Sequence, residues 1–316
     1  MAFRILADES MEEAVQRIAR EQIDKAIDEI NDQELDRDKA VHQVRKRCKK
    51  LRGLIRLVRP LFEDTYDREN AWYRDAARPL SYIRDAQSIL ETLDKLMEYF
   101  QDQRDREALA SVRQQLADRR KQATEDKGNL NKRLDEFLER MGEGRERVAA
   151  WQLDKKGFKA MQGGLTNTYA RGRAAMTQAY RHPSNANFHE WRKRVKDHWY
   201  HMRLLQPVWS GPIKTRCDEA DVLSEVLGDD HDLSVLRETL LEGDMDFGGE
   251  ETIQALLGLI TQRQIELRAK AKQLGARLYA ESPKRFVKRL HSYWKAWQCD
   301  VKTEPQTLHV PEWIST

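Results

Sequence analysis

Residues 40–60, AVHQVRKRCKKLRGLIRLVRP, hold eight Lys and Arg, one His and no acid. At neutral pH such side chains are suited to binding anions. Arg offers a planar fork to two phosphate oxygens, Lys a compact point charge, and His a donor that becomes cationic beside phosphate. His42, Arg45, Lys49, Arg52, Arg56 and Arg59 follow one another at intervals of 3, 4, 3, 4 and 3 residues. On a helix of 3.6 residues per turn they form one stripe. Val44, Cys48, Leu51, Ile55 and Val58 repeat at 4, 3, 4 and 3 and form an apolar seam, one residue or about 100° away. The stripe therefore flanks the buried seam. Cations this close repel one another. The partner that suits them is an anion long enough to span several helical turns and carry many phosphates.

The pattern occurs twice. FHEWRKRVKDHWYHMRLLQPVW (188–209) aligns with residues 41–62 at an offset of 147. His189 falls on His42, Arg192 on Arg45, Lys196 on Lys49, Arg203 on Arg56 and Pro207 on Pro60. At the same offset LSYIRDAQSILETL (80–93) meets LGDDHDLSVLRETL (227–240), placing His231 on Arg84 and Asp232 on Asp85. In the second copy Trp191, Val195, His198, Met202 and Leu205 form the seam, and His189, Arg192, Lys196 and Arg203 the stripe. Two segments matching at one offset indicate an internal duplication. We expect a first half at 1–150, a second at 151–300 and a tail at 301–316. If the halves pack about a twofold axis, the two stripes line one basic central cavity.

The elements that must position these stripes read as helices throughout. Gly and Pro are scarce, 15 and 8 in 316 residues, and good helix formers dominate. We expect helices at about 8–31, 36–59 stopped by Pro60, 70–101, 104–124 and 128–141, with Gly142 and Gly144 breaking the chain. In the second half the expected helices are 155–180, 184–206 capped by Ser184, 213–241, 248–280 and 282–300. The 102–127 stretch reads as surface helix laced with salt bridges. His182, His198, His201 and His291 read as surface or packing residues. Asp85 and Asp232 would orient motif cations. Val310, Trp313 and Ile314 would dock the tail. No strand is expected, so the fold class is all-α, with two pseudo-symmetric helical bundles.

Net charge is only +3 and mean hydropathy −0.82, so the basic segments are local features of a balanced chain. Three scattered cysteines without a CxxC argue against a disulfide framework or structural zinc and fit a reducing cytosol. The N-terminus does not read as a signal peptide, and no run approaches the roughly 20 apolar residues of a membrane span. We expect a cytoplasmic protein that touches no membrane.

The residues VHQVRKRCKKLR and FHEWRKRVKDHW, each followed by RD or HD, resemble the CHAD family of histidine-bearing α-helical domains. GLTNTYARGRAAM (164–176) is similar to that family's helix leading into the second motif, matching at Tyr169, Arg171 and Arg173. The resemblance spans about residues 8–300. It implies two pseudo-symmetric bundles around a basic cavity that binds inorganic polyphosphate, and an association with polyphosphate granules. Its binding residues, carried over by position, are His42, Arg45, Lys49, Arg52, Arg56, Arg84, Arg171, Arg173, His189, Arg192, Lys196, Arg203 and His231. The chain departs from the family pattern at Asp197 and Trp199, where bases are usual. No ExExK signature of the family's triphosphatase partner is present, so a stand-alone module is expected. The expectation is polyphosphate binding without catalysis, cofactor or metal, and with protein partners left open.

Three other readings carry less. A metal-dependent phosphohydrolase could use the motif histidines with DDHD (229–232), but surrounding Arg and Lys repel a cation. A nucleic-acid-binding helical protein could stack bases on its eight Trp and nine Tyr, yet Trp191 lies on the apolar seam. A helical scaffold could bind an acidic protein through the same stripes.

Overall fold

The computed structural model describes residues 3–100, 106–125, 127–242 and 249–302; the tail beyond 302, with its expected docking residues, lies outside them. The described residues contain no strand. Helix α1 (Met11–Asn31) opens on a capping box in which Ser10 and Glu13 satisfy each other's backbone N–H groups. Asp36 caps α2 (Arg37–Leu57), accepting from the N–H groups of Asp38 and Lys39. The motif seam is buried as its spacing requires: Val44, Cys48, Leu51, Ile55 and Val58 are at most 1% exposed.

Three boundaries differ from the sequence reading. Pro60 ends α2 but sits in the first turn of the next helix, α3 (Arg59–Ala77), where its missing N–H costs nothing. The single helix expected over 70–101 is two. A 3-10 turn at Arg78–Leu80, holding Pro79, separates α3 from α4 (Ser81–Tyr99). Gly142 and Gly144 do not break the chain; they lie inside α6 (Lys127–Val148), which follows α5 (Arg106–Glu125). At Gly144 an added Cβ would stand 3.0 Å from the Tyr73 hydroxyl, so this glycine admits a packed neighbour. Helix α5 packs on α4 through Leu109, Val112 and Leu116, and Arg113 pairs with Asp94 at 2.7 Å.

The second run of helices is α7 (Phe158–Arg181), α8 (Asn185–Leu205), α9 (Ser210–Leu241), α10 (Glu250–Leu278) and α11 (Pro283–Lys302). Ser184 caps α8 by accepting from the Asn187 N–H. Helices α1 and α7 begin 147 residues apart, and α2 and α8 begin 148 apart. The long α9 runs unbroken over positions equivalent to α3, the Pro79 turn and α4; Val226 stands where the first copy has Pro79.

Helices α2 and α8 lie at the centre. α1, α3 and α7 pack on α2, and α7 and α9 on α8. The two cross where Gly53 meets Tyr200, positions 147 apart. A Cβ on Gly53 would fall 2.9 Å from Tyr200 Cβ, and His201 Nε2 is 3.1 Å from the Gly53 carbonyl oxygen. On the other side, α7 presses on α2 so tightly that a Cβ on Gly164 would overlap the Leu57 carbonyl. Trp191 is fully buried, packed over Gly275 of α10.

Candidate functional site

The backbone seams turn the cations of α2 and α8 toward each other near the crossing. Lys49 stays within reach of water, but the walls around it partly desolvate its ammonium. Repulsion from Arg45, Arg192, Lys196 and Arg52 adds to that effect, and the pKa falls to about 8. Arg192 and Lys196 come from the other half of the chain. Cations of α2 and α8 therefore come close enough to repel one another at Lys49, among them its own sequence equivalent, Lys196.

Arg45 donates from Nη1 to the Ala77 carbonyl at 3.3 Å, and Arg52 from Nε to Asn70 Oδ1 at 3.0 Å. With Lys49, Tyr73, Arg74, Arg78 and Ser81 they line a hollow of about 220 Å³. The ring of His189 on α8 lies 3.9 Å, centre to centre, from that of His231 on α9, with Arg192 close to both. Burial first, then neighbouring cations, lowers both values, that of His231 to about 4, so both are neutral at pH 7. His189 Nδ1 and Arg192 Nε are buried without a hydrogen bond among the described residues. Unsatisfied buried polar atoms of this kind call for a ligand, a water or an ion.

The remaining expected residues are distributed unevenly. Arg56 is ion-paired with Asp197 of α8, and Arg194 reaches the same carboxylate at 3.0 Å. Burial raises the Asp197 pKa even against those arginines. Arg56, Arg59 and Arg171 border a second hollow with Asn167 and Thr168, and Arg171 is 3.9 Å from Glu190. Arg173 is exposed and, two residues from Arg171, projects from another face of α7. Arg203 and Lys196 flank the Trp199 ring at 4.8 and 4.3 Å, so Trp199 replaces a base with a surface on which two bases stack. His42 is exposed on the first turns of α2. Arg84 lies on α4, but its side chain, like that of Asp85, is outside the described residues.

Sequence reasoning missed Asp221, which holds Lys196 at 3.2 Å, and the pair Arg74 and Arg78. Asp232, expected to orient a motif cation, borders a hollow with Lys95 and Tyr99 between α4 and α9. A signal for Asp221 existed: the 147 offset places it on Arg74, an inversion of charge beside a shared lysine position. Tyr169, matched by resemblance, is buried and donates to the Leu278 carbonyl at 3.2 Å, a packing role. His198 and His201 are buried, His198 accepting from Arg216 Nε, and His291 stacks on Phe158. Among the described residues no group of three or more His, Cys, Asp or Glu is placed to hold a metal ion.

These features describe an all-α protein whose two central helices bring rows of Arg and Lys together. The sequence profile of the CHAD domain matches residues 17–241, and the chain belongs to the CHAD domain family. Among solved structures, PptA from Streptomyces chartreusis shares the fold at a TM-score of 0.62, over 85% of this chain and 99% of that one, with 14% identity. No curated protein matches the chain by sequence. No described helix is long and apolar enough to cross a membrane.

The titration of Lys49 gives a testable pH dependence for a polyanion at this site. In the free protein Lys49 loses its proton above about pH 8. A polyanion favours the ammonium and raises that value, so binding takes up a proton and affinity falls as pH rises through 8. The fall is less than about tenfold per pH unit, the limit for one proton. Lys50 titrates in the same range but lies across α2 over the Phe3 ring. Affinities measured at pH 7 and 9 for the wild type and Lys49→Met should show the dependence shrinking in the variant; an unchanged dependence assigns it elsewhere.

Proposed function

We propose that this protein binds inorganic polyphosphate between α2 and α8 and performs no chemistry on it. The observation that carries the reading is the crowding of Lys49 by Arg192 and Lys196. Cations from two distant stretches are held together where a chain of phosphates would relieve their repulsion. The near-equal spacing of α1 and α7 and of α2 and α8, together with the Gly53–Tyr200 crossing, supports two similar halves, about 1–150 and 151–300, meeting across a shared cleft. On this reading His42, Arg45, Lys49, Arg52, Arg192 and Lys196 bind phosphates. His189 and His231 donate as neutral rings, and Arg84, Arg171, Arg173 and Arg203 extend the site. Arg56 mainly joins the halves through Asp197. Membership of the CHAD family supports the ligand, and the cations around His189 and His231 disfavour a metal ion there. The place of action is the cytoplasm, at polyphosphate granules where these form.

Titration calorimetry with polyphosphates of graded length, at several salt concentrations, tests this. Six phosphate contacts predict that log K falls with log[salt] with a slope of about −4. Polyphosphate should displace RNA, and RNA should not displace polyphosphate. Binding that ignores salt, or an RNA that competes on equal terms, overturns the reading.

A further inference from the structure

Resting on that reading, the structure assigns a path by which a long polyphosphate leaves the central cleft: over the first half, across the Pro79 turn, onto α6. The hollow that Arg45, Lys49 and Arg52 line is completed by Arg74, Arg78 and Ser81. Arg78 and Ser81 also border a second, wider hollow of about 560 Å³ with Asn129, Lys132 and Arg133 of α6. The two hollows thus adjoin at the Pro79 break, where α6 packs on the turn. Arg133 donates from Nη1 to the Pro79 carbonyl at 2.9 Å and fixes α6 against it. Arg78 and Lys132 are exposed.

Two carboxylates lie along this path. Glu136 borders the outer hollow one turn beyond Lys132, and Asp75 is paired with Arg74 at 2.7 Å. The cations still outnumber them.

Among the described residues the second half offers no such exit. At the 147 offset, Asp221 stands on Arg74, Glu225 on Arg78 and Val226 on Pro79. Asp221 already holds Lys196, and Glu225 adds to the negative field there. Equivalent positions thus carry opposite charge around equivalent lysines. A polyanion is drawn out past Lys49 and turned back past Lys196. The unbroken α9 also lacks the bend that opens the outer hollow.

The test compares Asn129→Glu/Lys132→Glu, at two exposed positions that border only the outer hollow, with the wild type, using tripolyphosphate and a polyphosphate of about 100 units as probes. Circular dichroism and melting check that the variant folds, and Lys132→Gln serves as a milder second variant. Affinity for the long chain is expected to fall about tenfold, and its salt slope to shrink by at least about 0.7, the loss of the Lys132 contact. Affinity for tripolyphosphate is expected to stay unchanged. Unchanged long-chain affinity overturns the path while leaving the central site standing. An equal loss for both ligands also overturns it, because the two residues would then belong to the central site. A wild type that binds neither ligand overturns the proposed function and the path together.

Discussion

Arg45→Glu/Arg192→Glu is expected to lose at least about 100-fold in affinity for polyphosphate while keeping its helical circular dichroism. Each arginine stands for one charge-assisted phosphate contact worth about 1.5–3 kcal/mol, so two deletions alone reach that loss, and reversal adds repulsion. The pair matters because the residues are sequence equivalents on α2 and α8 that share Lys49 as a neighbour. Neither is needed for the core: the buried seams are Val44 to Val58 on one helix and Trp191 to Leu205 on the other. Arg45→Gln/Arg192→Gln should show the same direction with a smaller loss. A double variant that binds as the wild type does would remove α2 and α8 as the binding helices.

Gly164→Ala is expected to be the most damaging single methyl in the protein. The added carbon would fall 1.8 Å from the Leu57 carbonyl oxygen, far inside van der Waals contact, and both partners are helix backbone. Rotating a side chain gives no relief; α7 must move off α2. Such overpacking typically costs about 1–3 kcal/mol, and this contact belongs at or above the upper end. The expected result is a melting midpoint lowered by several degrees. Arg171, carried on α7 beside Arg56, would be displaced as well. Gly142→Ala is the control, because an added Cβ there has no neighbour within 4 Å. It should be neutral or slightly stabilising, as a helix-interior Gly exchanged for Ala usually is.

The core was the most legible feature of the sequence. The 3- and 4-residue spacing of apolar positions fixes which face of α2 and α8 is buried, and every seam residue is buried. The cation stripe is legible for the same reason, since phase on one helix follows from spacing alone. Pro60 and Pro79 were harder. A proline reads as a stop, yet either can equally begin a turn of helix, and only packing decides. Gly142 and Gly144 show the reverse error: glycine lowers helix propensity by about 1 kcal/mol, but burial of Met141 and Val148 holds α6 together across them.

Pairing between distant charges was the least legible. Arg56 continues the stripe perfectly in sequence, but in space it meets Asp197 from the other half, a contact spanning 141 residues. Spacing within one helix carries no information about a carboxylate arriving from another. Asp197 and Trp199 stood out as departures from a basic pattern: one ties α8 to α2 through Arg56, the other is a platform between Lys196 and Arg203.

The near-touching of α2 and α8 at Gly53 has a mechanical consequence. Two rods that meet at one pivot behave as levers, so a slight rotation there changes the gap at Lys49, one turn away, without disturbing the interior of either rod. On the proposed function, mutual repulsion would hold that gap open when it is empty and a bound polyanion would draw it shut. Occupancy should therefore be felt as stiffness of the whole molecule, with slower amide exchange along both levers.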